Sequence, residues 1–355
     1  MRDRYIYGIQ QIGVGVNDAE KAFEWYATRL GSDVPIFDDD QVATNMAPYM
    51  GGKSHRKRAI LAMSLQGGGG YEIWQYLDRE PARAIQKLNL GDLGINIAKV
   101  KSKNISQSFG RLQKQKVNFL SEIETDPDGK KCFYIEDPFD NIIQIKENTS
   151  WYSNNKTDTG GIFGCSIGVT NIDNSLKLYS DILGYNRVVY DCLDNFEDLK
   201  NLPNGNVRFR RILLGHENNR TGGFSKLFGK SEIELIQCID SLPKKVFQDR
   251  YWGDIGFIHL CFDVGNLGVF IKELEDKGFS FRVLSDESFK MGDTNGRWGY
   301  LEDPDGTLIE FVEAYKIPLI KMLKWSINLK RRNPNKPLPD WLIKSLSIKR
   351  VKFDT

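Results

Sequence analysis

One pattern recurs four times along the 355 residues: an opening apolar strand, an amphipathic helix, then two or three strands. A unit with one helix and a small sheet cannot bury its apolar face alone, so a chain built this way must pair its units and form more than one sheet. Module one opens at residues 6–16, carries its helix at 18–30 and ends at 71–76; module two opens at 93–98 and ends at 137–145. Module three opens at 165–169, has its helix at 173–183 and ends at 233–237. Module four opens at 257–262, has its helix at 267–277 and ends at 303–311. Modules one and three share a helix ending, Trp25-Tyr26-Ala27-Thr28-Arg29-Leu30-Gly31 against Leu178-Tyr179-Ser180-Asp181-Ile182-Leu183-Gly184. Modules two and four share an Asp-Pro turn before the last strand, Asp137-Pro138 and Asp303-Pro304. The order is therefore odd, even, odd, even.

These boundaries divide the chain into an N-terminal half, 1–150, with modules at about 6–78 and 92–147, and a C-terminal half, 160–313, with modules at about 161–240 and 254–313. The polar stretch 147–160 links them. Residues 314–355 form an extension with eleven Lys and Arg against Asp340 and Asp354, a net charge of +9, which leaves −7 on the other 313 residues. A total charge of +2 argues against nucleic acid as a partner. In the extension, Leu323, Trp325, Ile327 and Leu329 are interleaved with lysine, and a short helix restarts after Pro339. We expect it to pack on the body; contact with an anionic membrane is the less favoured reading, because prolines 334 and 337 break the segment into short pieces. The hydrophobic fraction of 40% supplies folded cores. No apolar run reaches a membrane span, and the start Met1-Arg2-Asp3-Arg4-Tyr5 lacks a signal-peptide pattern, so the expected location is the cytoplasm. Five widely spaced cysteines suit reduced core thiols.

Several strands carry polar residues where apolar ones belong. His259 lies in the opening strand of module four and Glu310 in its last strand between Ile309 and Phe311; the matching points of module one are Gln11 and Glu72. A carboxylate inside a strand costs several kcal/mol unless it is exposed, paired or bound to a cation. Glutamate recurs at this point in modules one, three and four, as Glu72, Glu234 and Glu310. Facing carboxylates with an imidazole are the inventory of a divalent-metal site. His55 lies in a basic loop and His216 in a turn-like stretch, and both read as ordinary exposed histidines.

The fourfold grammar, the opening strands Gln11-Ile12-Gly13-Val14-Gly15-Val16 and His259-Leu260-Cys261-Phe262-Asp263-Val264, the helix ending at 179–185 and, above all, Asp303-Pro304-Asp305-Gly306-Thr307-Leu308-Ile309-Glu310-Phe311 resemble the vicinal oxygen chelate superfamily. That superfamily includes glyoxalase I, extradiol dioxygenases and fosfomycin and bleomycin resistance proteins. The resemblance covers about residues 6–313. It implies an α+β fold of four βαβββ modules pairing into two curled mixed-sheet cups, with a metal fed by the first and last strands of two modules and a small substrate that chelates through neighbouring oxygens.

Glyoxalase I implies a ligand set of Gln11, Glu72, His259 and Glu310, which requires modules one and four to pair and leaves a degenerate second cup holding Gly94, Gln144, Ser166 and Glu234. Pairing in chain order would instead collect Glu234, His259 and Glu310, with Ser166 beside them. Ring-cleaving dioxygenases resemble the chain in having four modules, but they need two histidines, and module three offers Ser166 at that point. The resemblance gives Glu310 the role of proton-transferring carboxylate, with Glu72 or Glu234 across the metal, beside an enediolate held by the ion. The mixed donor set suits Zn, Ni, Co, Mn or Fe(II). Arg208 and Arg210 share a strand face and are candidates for a substrate anion. The expected function is a divalent-metal-dependent lyase or isomerase acting on a small molecule. An iron-dependent dioxygenase and a non-catalytic, resistance-type binding protein are the alternatives.

Overall fold

The computed structural model describes residues 5–153, 157–287, 289–291, 294–320, 325–330 and 332–353. Asn154, Asn155 and Lys156 of the linker and Leu323 of the extension lie outside them. The fold is α+β, with two large sheets, each made from one odd and one even module. In the first, the strands run in the order Phe281–Leu284, Thr294–Glu302, Leu308–Ile320, Gly256–Gly265, Tyr5–Gly15, Gly70–Tyr76, Arg56–Met63, Val34–Val42. Module four therefore pairs with module one. In the second, Arg187–Asp194, Phe209–Gly215, Glu232–Cys238 and Thr159–Gly168 of module three continue into Gly94–Ser102, Ile142–Glu147, Lys131–Glu136 and Asn118–Phe119 of module two. Pairing in chain order is excluded by these registers.

Each junction is an antiparallel pair of opening strands. Gln11 faces Cys261 and Gly13 faces His259, with register shifts between Ile9 and Gln11 and between Gly13 and Val14. Because strand side chains alternate, residues two apart share a face. Ile12, Val14, Tyr71, Ile73, Leu260, Phe262, Ile309 and Phe311 turn away from the first cup and join one core with the helices and with residues of the second sheet. Their neighbours at the odd step turn into the cup.

The helices begin where a short polar side chain can satisfy the free amides of a first turn. Asp18 accepts from the amides of Glu20 and Lys21, Asn104 from Gln107 and Asn171 from Asn174. The helix Leu267–Asp276 follows Asn266 in the left-handed region (φ 52), and Glu313 of a neighbouring strand accepts from the amides of Asn266 and Leu267. After Ala19–Trp25 the chain widens into a π-turn, Tyr26–Leu30, and closes on Gly31 at φ 79, a conformation that favours glycine.

Both internal repeats of the sequence now have one cause. Tyr26 donates its hydroxyl to Asp137 Oδ2 at 2.5 Å, and Tyr179 donates to Asp303 Oδ2 at 2.8 Å. The helix of each odd module is tied to the Asp-Pro turn of the following even module, so the tyrosine and the aspartate must recur together. The same aspartates hold their own turns: Asp137 Oδ1 accepts from the amides of Phe139 and Asn141, and Asp303 Oδ1 from those of Asp305 and Thr307.

The strand beginning at Leu308 does not stop near residue 313 but runs to Ile320 and pairs with Trp325–Asn328. The later part of the extension forms the helix Asp340–Ser345. Leu338, Leu342, Ile343 and Leu346 bury against Val34, Leu61, Met63 and Phe224, while Arg350 bonds Asp33 at 2.9 Å and Lys349 donates to the carbonyl of Ile36 at 2.7 Å. Four cysteines are buried as thiols, but Cys192 is exposed on a strand. No helix among the described residues is long and apolar enough to cross a membrane.

Candidate metal centre

Gln11, Glu72, His259 and Glu310 meet at the floor of the first cup. Glu72 lies beside Gly13 in the parallel pair of module one, and Glu310 beside Cys261 in that of module four. His259 Nε2 is 3.3 Å from Glu72 Oε2 and 3.1 Å from Glu310 Oε2. All three residues are buried, and among the described residues they are the one cluster whose ligand atoms lie close enough together to hold an ion. Metal bonds to nitrogen and oxygen are about 2.1 Å, so adjacent donors stand about 3.0 Å apart in an octahedron and about 3.4 Å apart in a tetrahedron. The two separations fall between those limits.

Gln11 Nε2 lies 3.0 Å from Glu72 Oε2 and 3.4 Å from Glu310 Oε2, while Gln11 Oε1 is buried without a hydrogen-bond partner. Turning the amide over would place that oxygen at the meeting point of the carboxylates, so it suits a fourth donor to a cation. Backbone geometry makes room for the imidazole. A Cβ on Gly13 would stand 2.2 Å from His259 Cε1, and only a glycine lets the ring lie across the neighbouring strand. Burial would lower the basicity of His259, but Glu310 and Glu72 raise its pKa to about 9, so a proton on the ring supplies the positive charge that the two carboxylates demand. The residues fit a divalent ion by donor type, spacing and charge.

Tyr300 and Trp252 complete the surroundings. Tyr300 brings its hydroxyl 3.4 Å from His259 Nδ1, the nitrogen turned away from the carboxylates, and Trp252 lies with its plane 14° from that of the imidazole. Sequence reasoning passed over both. Tyr300 carried a readable signal, since Trp298 and Tyr300 alternate in the strand just before Asp303-Pro304.

The second cup is built differently. Glu234 lies there, in the other sheet from His259 and Glu310, and is closed off by Arg211 Nε at 2.7 Å, Lys99 Nζ at 3.0 Å, Ser166 Oγ at 2.5 Å and Tyr190 at 2.6 Å. Burial opposes its charge, but Arg211 and Lys99 hold the carboxyl well below its ordinary value. Lys146 adds a third buried cation, bonded to Asp126, Asp128 and Glu232. Gln144 donates to Tyr134, and Gly94 packs near Val246. Here covalently attached cations answer the carboxylates.

Other candidates also move. Arg208 pairs with Asp240, and Arg210 with Asp191 and Asp173, at the surface of the second sheet, so neither reaches the first cup. Arg211, the next residue along, turns inward. His216 is not an exposed turn residue: it is buried, Nε2 accepts from the amide of Ser231, Nδ1 lies 2.8 Å from the carbonyl of Asn218, and burial lowers its pKa to about 4. His55 contacts Asp78 at 3.1 Å.

Paired βαβββ modules around a buried histidine and two carboxylates define a glyoxalase-type, metal-binding architecture. Residues 8–145 and 165–300 each match a family model of the Glyoxalase/Bleomycin resistance protein/Dioxygenase superfamily, and the chain belongs to that superfamily as a four-module form. Among solved structures it is similar to a putative dioxygenase from Bacillus subtilis subsp. subtilis str. 168, at 14% identity over 88% of this chain and 86% of that one, with a TM-score of 0.54. It is also similar to glyoxalase I from Zea mays, at 10% identity over 88% and 92% of the two chains, with a TM-score of 0.51. At these identities the likeness is one of fold. No curated protein matches the chain.

Proposed function

We propose that the protein is a divalent-metal-dependent enzyme that moves a proton on a small, oxygen-chelating substrate, as a lyase or isomerase does. The observation that carries this reading is the convergence of His259 Nε2 with one oxygen each of Glu72 and Glu310 at 3.3 and 3.1 Å on a buried floor. Gln11, Glu72, His259 and Glu310 would hold the ion. When bound, the ion polarises a substrate carbonyl and offsets negative charge on the neighbouring oxygens. Glu310 and Glu72 also line the cavity above the floor, so a carboxylate there can take a proton from the carbon beside the carbonyl and return it. Glu310 is assigned that role. Tyr300 orients His259 from behind, as an outer partner of a ligand imidazole does. The ring-cleaving alternative asks for a second histidine, which the cup lacks among the described residues.

The test is hydrogen exchange at the carbon beside the carbonyl of 2-hydroxyacetophenone, followed by NMR in D2O with protein loaded separately with Zn, Ni, Co, Mn or Fe(II). Exchange that needs metal and disappears in Glu310→Gln supports proton transfer. Oxygen uptake with 4-methylcatechol and iron, without exchange, would favour a dioxygenase, and a protein that retains no metal would favour the binding-protein reading.

A further inference from the structure

Above the metal centre, the first cup opens into a cavity whose wall is apolar on nearly every side. Leu61, Met63 and Val312 come from the sheet, Phe224 and Phe228 from the short helical segment inside module three, between its strands Phe209–Gly215 and Glu232–Cys238, and Leu346 from the C-terminal extension. The floor carries Gln11, Glu72 and Glu310. The remaining polar side chains of the wall are neutral apart from one: Gln10, whose amide is donated to Asp263, Thr294 and Trp298. The exception is Arg297, but strand alternation puts it on the face opposite Thr294 and Trp298. Its Nη1 lies 3.9 Å from Glu287 and 3.8 Å from where a Cβ on Gly268, in the neighbouring helix, would stand. Its charge therefore points out of the cup.

Charge decides what such a cavity admits. A divalent ion on the floor is matched by two carboxylates, which leaves no net positive charge for a second anionic group on the ligand. A carboxylate or phosphate carried on the far end of a substrate would be buried against Phe224, Phe228 and Leu346 with no inward-facing cation to meet it. The unpaired Thr294 hydroxyl and Trp298 indole N–H are neutral donors, suited to a neutral polar substituent and insufficient to offset the burial of a full charge. An aryl or branched alkyl group would find close contacts on the same wall.

We infer that the substrate is an uncharged molecule with an aryl or branched alkyl body and an oxygen-bearing head, the body lying against Leu61, Met63, Val312, Phe224, Phe228 and Leu346. This rests on the reading of the floor as a metal-dependent catalytic centre for the head group, but the choice of body rests on the wall alone. It excludes substrates whose distal part is anionic.

Two matched probe pairs separate the two readings. On the full chain loaded with Mn(II), 4-methylcatechol and 3,4-dihydroxybenzoate share the head and differ in distal charge. On the chelator-stripped chain, p-cresol and 4-hydroxybenzoate make the same comparison without a chelating head. Calorimetry is expected to give at least tenfold tighter binding of the neutral member in both pairs. Leu61→Phe, which narrows the cavity, should weaken both neutral probes at least fivefold with metal content unchanged. Arg297→Met should leave the preference intact. Equal or tighter binding of either carboxylate overturns the inference, as does loss of 3,4-dihydroxybenzoate binding in Arg297→Met, because that would make Arg297 its anchor. A chain that binds no metal yet prefers p-cresol would sink the catalytic reading while supporting the neutral cavity.

Discussion

Replacing Lys99 with methionine tests whether the second cup is held together by its own cations. The ammonium is 1% exposed and lies 3.0 Å from Glu234 and 3.3 Å from Glu232. Burial alone would lower its pKa, but the two glutamates carry it above the ordinary lysine value. Removing one member of a buried ion pair typically costs about 3–5 kcal/mol, because the partner keeps its charge without compensation. Here Glu234 retains Arg211, Ser166 and Tyr190, and Glu232 retains Lys146 at 3.1 Å. The expected loss therefore falls below that range, at about 2–3 kcal/mol. Arg211→Met strips both Glu234 and Asp198, bonded at 2.7 and 2.8 Å, and should cost about 4–5 kcal/mol. Urea unfolding at pH 7, followed by tryptophan fluorescence and by circular dichroism, measures both losses. Adding Glu232→Gln to Lys99→Met should recover part of the stability, since it removes a carboxylate left short of charge. Metal content should not change. A Lys99→Met protein within about 0.5 kcal/mol of the parent would refute the reasoning, because a change that small is what a surface substitution gives.

Three further outcomes are expected. His259→Ala should abolish stoichiometric metal and Glu310→Gln should weaken metal affinity by more than about a hundredfold, both with native circular dichroism; metal analysis showing unchanged content in both would reject the site. Tyr26→Phe and Tyr179→Phe should each cost about 1.5–3 kcal/mol in urea unfolding, since each removes a donor from a buried carboxylate, and losses below about 0.5 kcal/mol would show that the ties between modules carry nothing. Burial, with Gln10 opposing and Glu313 adding to it, raises the pKa of Asp263 to about 8. A carboxyl whose folded pKa is raised binds its proton more tightly when folded, so this stability is complete below about pH 4 and is lost as pH rises towards 8. Asp263→Asn should flatten the fall in stability over that range by up to about 1.4 kcal/mol per pH unit; an unchanged slope would place the titration elsewhere.

The cup's donors were legible because each broke a local rule. His259 and Glu310 stand in apolar strands, and the alternation that makes Ile309 and Phe311 core residues sends Glu310 to the opposite face. The pairing of modules was legible only as a choice, since Gln11, Glu72, His259 and Glu310 lie as much as 299 residues apart and strand partners at such distances leave no local trace. The Tyr-Asp ties were visible as two separate repeats, but that one touches the other is a fact of packing. Arg208, Arg210 and Arg211 show the opposite difficulty. Their face in the strand followed from alternation, but nothing in the sequence said that the single inward arginine would meet Glu234 while its neighbours found aspartates outside. Lys99 and Lys146 escaped because a lysine in a strand ordinarily reads as solvent-facing, and only the partner strands reveal the acids that bury it.

Because the first sheet joins residues from both ends of the chain, a ribosome that has completed the linker has released Gln11 and Glu72 but not the histidine that must stand between the carboxylates. The nascent half holds an unfinished pair of sheet edges at its two opening strands, the first awaiting the distant strand Gly256–Gly265 of module four and the second the strand Thr159–Gly168 just past the linker. Fragments 1–150 and 158–355, expressed separately, should each be short of a sheet and bind no metal, while their mixture should restore both sheets and the donor set together. Cleavage in the linker would then act on assembly rather than on chemistry, and a split form of this protein would report on the meeting of its two pieces by acquiring a metal.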